Sequence, residues 1–343
     1  MATFQINITN RCNLACPFCY AFRNNQVITK EIMDKAVEFI INKIKLELKD
    51  TPHNINFSGG ELFTGAYELI PEAIRTIKER CSEDRIAYTI QSNLTALRIQ
   101  DNEKAEEIIS LLDLVGTSLY DLEIVNKKQK QIFDDNIKYI QRLNKKIEVM
   151  ICVDYALLRY GQTYLYEMLV DKGIYNIEFE RLSKPMELKY NYKQGDSHSK
   201  PSNEEQSRWL TVAYKEYKEF QKKYPNFHIY MFDCMEDAVN GIYHYEHSRN
   251  CQKTCYTILP NGDIGNCPIK VEKPFYNLLT KKLDIDKYNE IVAFEENVNP
   301  KCLECVYYKH CKGDCCNMEW DNTGCPTPYK IFDLIEERNK IDE

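Results

Sequence analysis

Residues 4–9 (Phe-Gln-Ile-Asn-Ile-Thr) alternate apolar and polar side chains, the period of a strand with one covered face. Strand-like runs recur at 54–57, 87–93, 114–121, 147–153 and 175–180. Between them, apolar residues at helical spacing predict helices over 30–49, 68–80, 101–111, 129–144 and 162–171. Six strands, each with a crossover, predict an α/β fold: a partial parallel (β/α)6 barrel that presents ligands at the C-terminal strand ends. In Glu148-Val-Met-Ile-Cys-Val-Asp154, alternation places Val149, Ile151 and Val153 on one face and Glu148, Met150, Cys152 and Asp154 on the other, so the polar face can line the barrel. Residues 183–203 are turn-rich and read as a connector or lid, and 204–224 as one long helix rich in aromatics and lysine. The expected organisation is a barrel at 1–182, a bridging region at 183–250, a small cysteine-rich domain at 251–330 and a C-terminal helix or tail at 331–343.

The cysteines change the picture most. Of fifteen, three stand at Cys12, Cys16 and Cys19, and eight more at Cys251, Cys255, Cys267, Cys302, Cys305, Cys311, Cys315 and Cys325. Packing does not need so many thiols, and their spacing points to iron-sulfur clusters. Cys12-x3-Cys16-x2-Cys19 offers only three ligands, so a four-iron cluster held there keeps one iron open to a small chelating molecule. A closed structural zinc site wants four ligands, and no fourth Cys or His stands nearby in sequence.

The run Cys12-Asn-Leu-Ala-Cys-Pro-Phe-Cys19, placed after a strand, resembles the radical S-adenosylmethionine (SAM) superfamily. Phe18 fills the aromatic slot of that family's motif, near the adenine. The resemblance implies that the open iron binds the amino and carboxylate groups of SAM, and that an electron from the cluster cleaves SAM to a 5'-deoxyadenosyl radical. Gly59-Gly60-Glu61, at the end of the second strand, matches the family's contact to the methionine amino group; paired glycines also let backbone approach a ligand closely. Gln91, Ser92 and Asn93 match the strand end that meets the ribose. Ser118 opens Ser-Leu-Tyr-Asp where many relatives read Ser-Leu-Asp-Gly, a departure that removes the usual carboxylate position.

The C-terminal spacing resembles the SPASM domain, an extension that holds two auxiliary four-iron clusters. By that resemblance Cys251, Cys255, Cys267 and Cys315 ligate one cluster, and Cys302, Cys305, Cys311 and Cys325 the other, with Cys316 an alternative to Cys315. Full thiolate ligation implies electron transfer or support rather than substrate binding. Of the remaining cysteines, Cys81 reads as packing, whereas Cys152 and Cys234 are candidate hydrogen-atom donors; Asp154 or Glu180 is the candidate base. His244 and His247 read as a solvated helix face.

Composition bounds the rest. The 343 residues, 43% hydrophobic and 28% charged, suffice for two cored domains. No run approaches about eighteen apolar residues, and no signal-like start is present. Reduced thiols and oxygen-labile clusters then place the chain in the cytoplasm. A net charge of -7 without a basic stripe indicates no nucleic-acid partner. The leading functional expectation is oxidative modification of a peptide or protein to a crosslink, thioether or aldehyde, with electrons from a flavodoxin or ferredoxin. A SAM-dependent dehydrogenase or mutase acting on a small metabolite or nucleotide is the second expectation, and a non-catalytic zinc-binding module the third. Two features narrow the first. The chain begins at the first strand, without room for a leader-binding domain, and Pro268 follows Cys267 where sulfatase maturases carry Asp.

Overall fold

A computed structural model describes the chain except residues 1, 17–18, 20, 22, 49–50, 83, 119–124, 184–197, 244–248, 250, 271–272 and 343. Contacts divide it into two compact units, Met1–Glu148 with Cys251–Val292, and Val149–Asn250 with Ala293–Glu343.

The first unit is built on four parallel strands, β1 (Ala2–Thr9), β2 (His53–Gly59), β3 (Ile86–Gln91) and β4 (Leu114–Thr117), paired in that order. Cys255–Ile258 adds in parallel to the free side of β1 and continues antiparallel into Asp263–Gly265 and Tyr276–Asn277. One face of the sheet buries Phe4, Ile6, Ile8, Ile55, Phe57, Tyr88, Ile90 and Val115 in the core. Strand pleating sends the alternate residues to the other face, which carries Gln5, Asn7, Asn54, Ser58, Thr89 and Gln91. Those polar groups bond each other: the Ser58 hydroxyl and the Gln5 amide donate to Asn7 Oδ1 at 3.0 and 3.1 Å, and the Thr89 hydroxyl donates to Asn54 Oδ1 at 3.2 Å.

The expected crossovers are α1 (Lys30–Ile44), α2 (Ile70–Arg80), α3 (Glu103–Leu111) and α4 (Lys127–Arg142). Helix α1 stops before residue 49 because its buried stripe ends at Ile44; Leu46 and Leu48 fall off it and stand 82% and 84% exposed. Pro71 sets the start of α2, in the first turn where its missing N–H costs nothing, so the preceding Tyr67–Leu69 forms a separate 3-10 turn. Helix α4 begins two residues earlier than the periodicity indicates because Asn126 and Gln129 form a capping box.

The strand Lys146–Val153 is divided between the units. The second unit contains α5 (Gln162–Asp171), the strand Asn176–Arg181 and the long helix Asn203–Lys223, whose N-terminus is closed by a Ser202–Glu205 capping box. Trp209, Tyr214, Tyr217 and Phe220 on that helix pack edge to face or tilted against Phe179, Phe227, Phe232 and Tyr166. The bridging region carries a further helix, Tyr230–Val239, and Lys330–Asp342 is also helical. No described helix is long and apolar enough to cross a membrane. His244 and His247 lie outside the described residues.

Candidate active site

Cys12, Cys16 and Cys19 follow the C-terminal end of β1, and the backbone of β2 holds their loop. Gly60 N–H donates to Thr9 O and Glu61 N–H to Arg11 O, both at 2.7 Å. This contact explains the glycine pair. Gly59 has φ of 143°, and a Cβ on either Gly59 or Gly60 would stand 2.2 Å from a carbonyl oxygen of Thr9 or Arg11. The close approach the glycines permit is therefore to the cysteine loop itself. Leu14 N–H donates to Cys12 Sγ at 3.4 Å, while burial raises the Cys12 and Cys16 thiols, Cys16 to about 11, with the neighbouring thiols adding to the effect. Arg23 opposes it at both sulfurs. Phe18 lies outside the described residues.

Glu61 is 1% exposed and joins three strand ends. Its Oε1 accepts from the Ser92 hydroxyl at 2.7 Å and from Phe63 N–H at 3.2 Å, and its Oε2 accepts from Asn93 N–H at 2.7 Å. Burial raises its pKa against the pull of these donors. Asn93 passes the connection to the loop, its Nδ2 donating to Asn13 Oδ1 at 2.9 Å and reaching Cys12 Sγ at 3.9 Å. Thr95 closes the ring, donating to Asn93 Oδ1 at 2.7 Å and accepting from Asn13 at 2.9 Å. Gln91 Nε2 donates to Ser118 Oγ at 2.6 Å, which ties the ends of β3 and β4. Asn13 and Thr95 had no sequence signal, because a pair of polar side chains 82 positions apart becomes visible only once folded.

Glu61→Gln puts an amide where three donors need acceptors, so we expect SAM affinity to fall about tenfold with iron content unchanged. Calorimetric titration of SAM into loaded protein measures this; an unchanged Kd would sever Glu61 from the SAM site.

All four candidate reactive side chains lie in the second unit. Cys152 is buried at the end of its strand, and Asp154 is fully buried two residues on. Asp154 Oδ1 accepts from Leu157 N–H at 2.8 Å and so caps the turn Tyr155–Leu158, while Oδ2 meets His198 Nδ1 at 3.0 Å. His198, a fifth exposed and at the end of the connector, was not singled out in the sequence. Glu180, at the end of Asn176–Arg181, is pushed up to about 7 by burial, with Arg181 opposing. Cys234 borders a cavity of about 60 Å³ shared with Met231, Met235, His310 and Cys311.

The sign of the Glu180 shift is testable. A carboxyl whose folded pKa lies above its unfolded value of about 4.3 destabilises the fold progressively as pH rises from there to about 7. Glu180→Gln should therefore stabilise the protein at pH 8 by at most about 4 kcal/mol and leave it nearly unaltered at pH 4. Thermal melts at the two pH values decide it; equal effects at both would contradict the shift.

Three of the C-terminal thiols share one backbone donor pattern. Cys311, Cys315 and Cys325 receive backbone N–H bonds from Gly313, Asn317 and Thr327, each two residues on, as Cys12 does from Leu14. Burial pushes the Cys311 thiol up to about 11, with Cys325 and Cys302 near enough to contribute. Among the described residues no group of three or more His, Cys, Asp or Glu is arranged to hold a single metal ion. Cys302 is buried and Cys305 exposed. In the first unit, Cys251 opens a helical turn, Cys255 pairs beside Thr3 of β1, and Cys267 follows Asp263–Gly265.

A parallel sheet with a three-cysteine loop at its strand ends defines a class, and residues 6–172 match the Radical SAM superfamily. That stretch is a Radical SAM domain, which implies an enzyme using SAM and a 4Fe–4S cluster. An uncharacterized protein of Methanocaldococcus jannaschii is 35% identical over 121 residues, a stretch spanning 35% of this chain and 38% of that relative. Two solved structures share the fold across 99% of this chain and 98% of theirs, at 17% identity. They are native anSMEcpe with bound AdoMet, TM-score 0.77, and the same protein with bound AdoMet and Kp18Cys peptide, TM-score 0.78.

Proposed function

We propose that this protein is a radical SAM/SPASM enzyme that removes two hydrogens from a side chain of a peptide or protein substrate. The observation that carries the proposal is the second set of thiols, in which Cys302, Cys311 and Cys325 lie near one another and Cys311 and Cys325 accept backbone N–H bonds. Auxiliary electron-accepting clusters serve a net oxidation and are superfluous to a redox-neutral rearrangement. A peptide as substrate is supported by the shared fold with a protein solved with peptide bound.

Cys12, Cys16 and Cys19 would hold the SAM-binding cluster, and the C-terminal cysteines the auxiliary ones. When bound, these groups supply a hydrogen-abstracting radical and an electron sink. The chain's own residues do the rest. Glu61 and Asn93 fix the loop relative to the strand ends where SAM would bind, with Gln91 and Ser118 beside them. Asp154 accepts the Nδ1 proton of His198, which selects the tautomer whose Nε2 is basic. His198 then takes the substrate proton that must leave alongside the hydrogen atom and the electron. Glu180, titrating near neutrality, is the second candidate to accept a proton. A flavodoxin or ferredoxin supplies the electron that begins the cycle.

The test is anaerobic incubation of loaded protein with SAM, reductant and a panel of cysteine- and serine-containing peptides, including any encoded beside its gene. Mass spectrometry should find a peptide lighter by two hydrogens. SAM cleavage with no peptide altered, while a small metabolite is oxidised, would replace this reading.

A further inference from the structure

A line of oxidisable rings runs through the second unit from its core to its surface. Tyr214 and Tyr217, both buried, stand three residues apart on the helix Asn203–Lys223. Their rings pack on Phe232 with centroids 5.4 and 5.6 Å away. Trp209 precedes Tyr214 by five residues on the same helix, about 7.5 Å along its axis at a rise of about 1.5 Å per residue. It joins the same cluster through Phe179, whose ring lies 5.4 Å from Trp209 and 5.8 Å from Phe232. The Trp209 indole Nε1 donates to Tyr160 O at 3.4 Å. Tyr160 in turn stacks on Tyr164 at 6.4 Å, and these two are 40% and 62% exposed, so the line ends in solvent.

Packing alone does not ask for these residues. The chain has 24 tyrosines against 14 phenylalanines, so where a ring is needed it is more often the oxidisable one. At positions 214 and 217 phenylalanine would fill the same volume without a hydroxyl to desolvate. Both hydroxyls instead donate to a carboxylate, Tyr214 to Glu236 Oε1 at 2.7 Å and Tyr217 to Asp233 Oδ1 at 2.6 Å. A phenol that loses an electron becomes a strong acid and must pass its proton to a base within hydrogen-bond reach. Each buried phenol has that base in place. Arg338 already donates to Glu236 and to the Tyr214 oxygen, at 2.8 and 2.9 Å, and its positive charge makes Tyr214 the harder of the two to oxidise. Asp233 has no arginine of this kind; its other oxygen meets the exposed His228 Nδ1 at 3.1 Å. Tyr217 is therefore the entry point.

We propose that Tyr217, Tyr214, Trp209, Tyr160 and Tyr164 form a relay that discharges a radical left unused by substrate, carrying its oxidising equivalent from the interior to the protein surface. Tyr217 gives up one electron, and its proton passes to Asp233. The stray radical R• takes that electron with a proton from solvent and becomes R–H. Each ring is then reduced by the next, Tyr217 recovering its proton from Asp233, until the missing electron resides on Tyr164. There a low-molecular-weight thiol supplies an electron and a proton. In sum, R• and a thiol give R–H and a thiyl, and two thiyls couple to a disulfide. The relay lies off the productive path and protects the chain from its own chemistry. It rests on the radical chemistry of the Radical SAM domain and not on the substrate being a peptide.

The test uses anaerobically loaded, full-length protein that is reduced with dithionite, desalted and mixed with SAM in the absence of any other substrate. Samples frozen during the reaction are read by EPR, and 5'-deoxyadenosine is counted in the same samples. A tyrosyl signal should appear in wild type and narrow in protein grown on ring-deuterated tyrosine, because the unpaired spin couples to the ring hydrogens. Tyr214→Phe/Tyr217→Phe keeps both rings against Phe232 and should lose that signal while forming 5'-deoxyadenosine at the wild-type rate. Trp209→Phe should keep the signal but lose the rapid decay that added dithiothreitol causes in wild type, since the way to the surface is cut. Wild type that forms 5'-deoxyadenosine with a spectrum unchanged by tyrosine deuteration would overturn the relay and leave these rings as packing. Wild-type decay in Trp209→Phe would overturn the route. Loaded, reduced protein that forms no 5'-deoxyadenosine would instead overturn the radical chemistry beneath both.

Discussion

Replacing Cys12, Cys16 and Cys19 together by alanine should abolish SAM cleavage while leaving the C-terminal centres loaded. The loop is held by backbone bonds, Gly60 N–H to Thr9 O and Glu61 N–H to Arg11 O, and by Asn13 to Thr95. None of these involves a thiol, so the alanines remove ligands without releasing the loop. The three four-iron clusters proposed would give about twelve irons per chain, and the variant should retain about eight. The EPR signal that responds to added SAM should vanish with the missing irons. A triple variant that still made 5'-deoxyadenosine would show that the open iron lies elsewhere.

The second large effect belongs to Cys302→Ala/Cys305→Ala. Cluster binding energy is folding energy in a small cysteine-rich lobe, so loss of product could reflect collapse. Contacts independent of these cysteines argue against that. Tyr307 donates to Asp333 at 2.8 Å, and His310 meets Glu336 at 2.9 Å, which hold the lobe to the helix Lys330–Asp342. We expect a folded variant, verified by circular dichroism, that still cleaves SAM slowly but forms oxidised peptide at least about 100-fold less, the size of effect a lost catalytic group commonly has. Normal product yield would make the second auxiliary cluster dispensable and favour a redox-neutral mutase.

Local signals were legible, and long-range ones were not. The alternation of residues 4–9 located β1, and the same pleat placed Gln5 and Asn7 opposite Phe4 and Ile6. The helix Asn203–Lys223 was foreseen to within a residue at each end from its run of aromatic and lysine residues, and the Ser202–Glu205 capping box fixes its start in the fold. Helix α1 was over-extended because Leu46 and Leu48 look apolar but face no partner. The glycines at 59 and 60 read as a close approach of backbone to a ligand, whereas the pairing of β1 with β2 brings them against the carbonyls of Thr9 and Arg11. Glu61, Asn93 and Asn13, like Arg181 and Asp314 at a separation of 133 residues, share no periodicity or spacing. His198 follows a segment with no helical or strand pattern, so only the fold brings it to Asp154.

The central claim is that the loop of Cys12, Cys16 and Cys19 makes this chain a SAM-cleaving radical enzyme. The most direct measurement is 5'-deoxyadenosine, quantified by liquid chromatography and mass spectrometry after anaerobic mixing of iron-loaded protein with SAM and dithionite. The account predicts that it accumulates to at least one equivalent per chain and only when reductant is present. Fully loaded, reduced protein that binds SAM and forms none would contradict it.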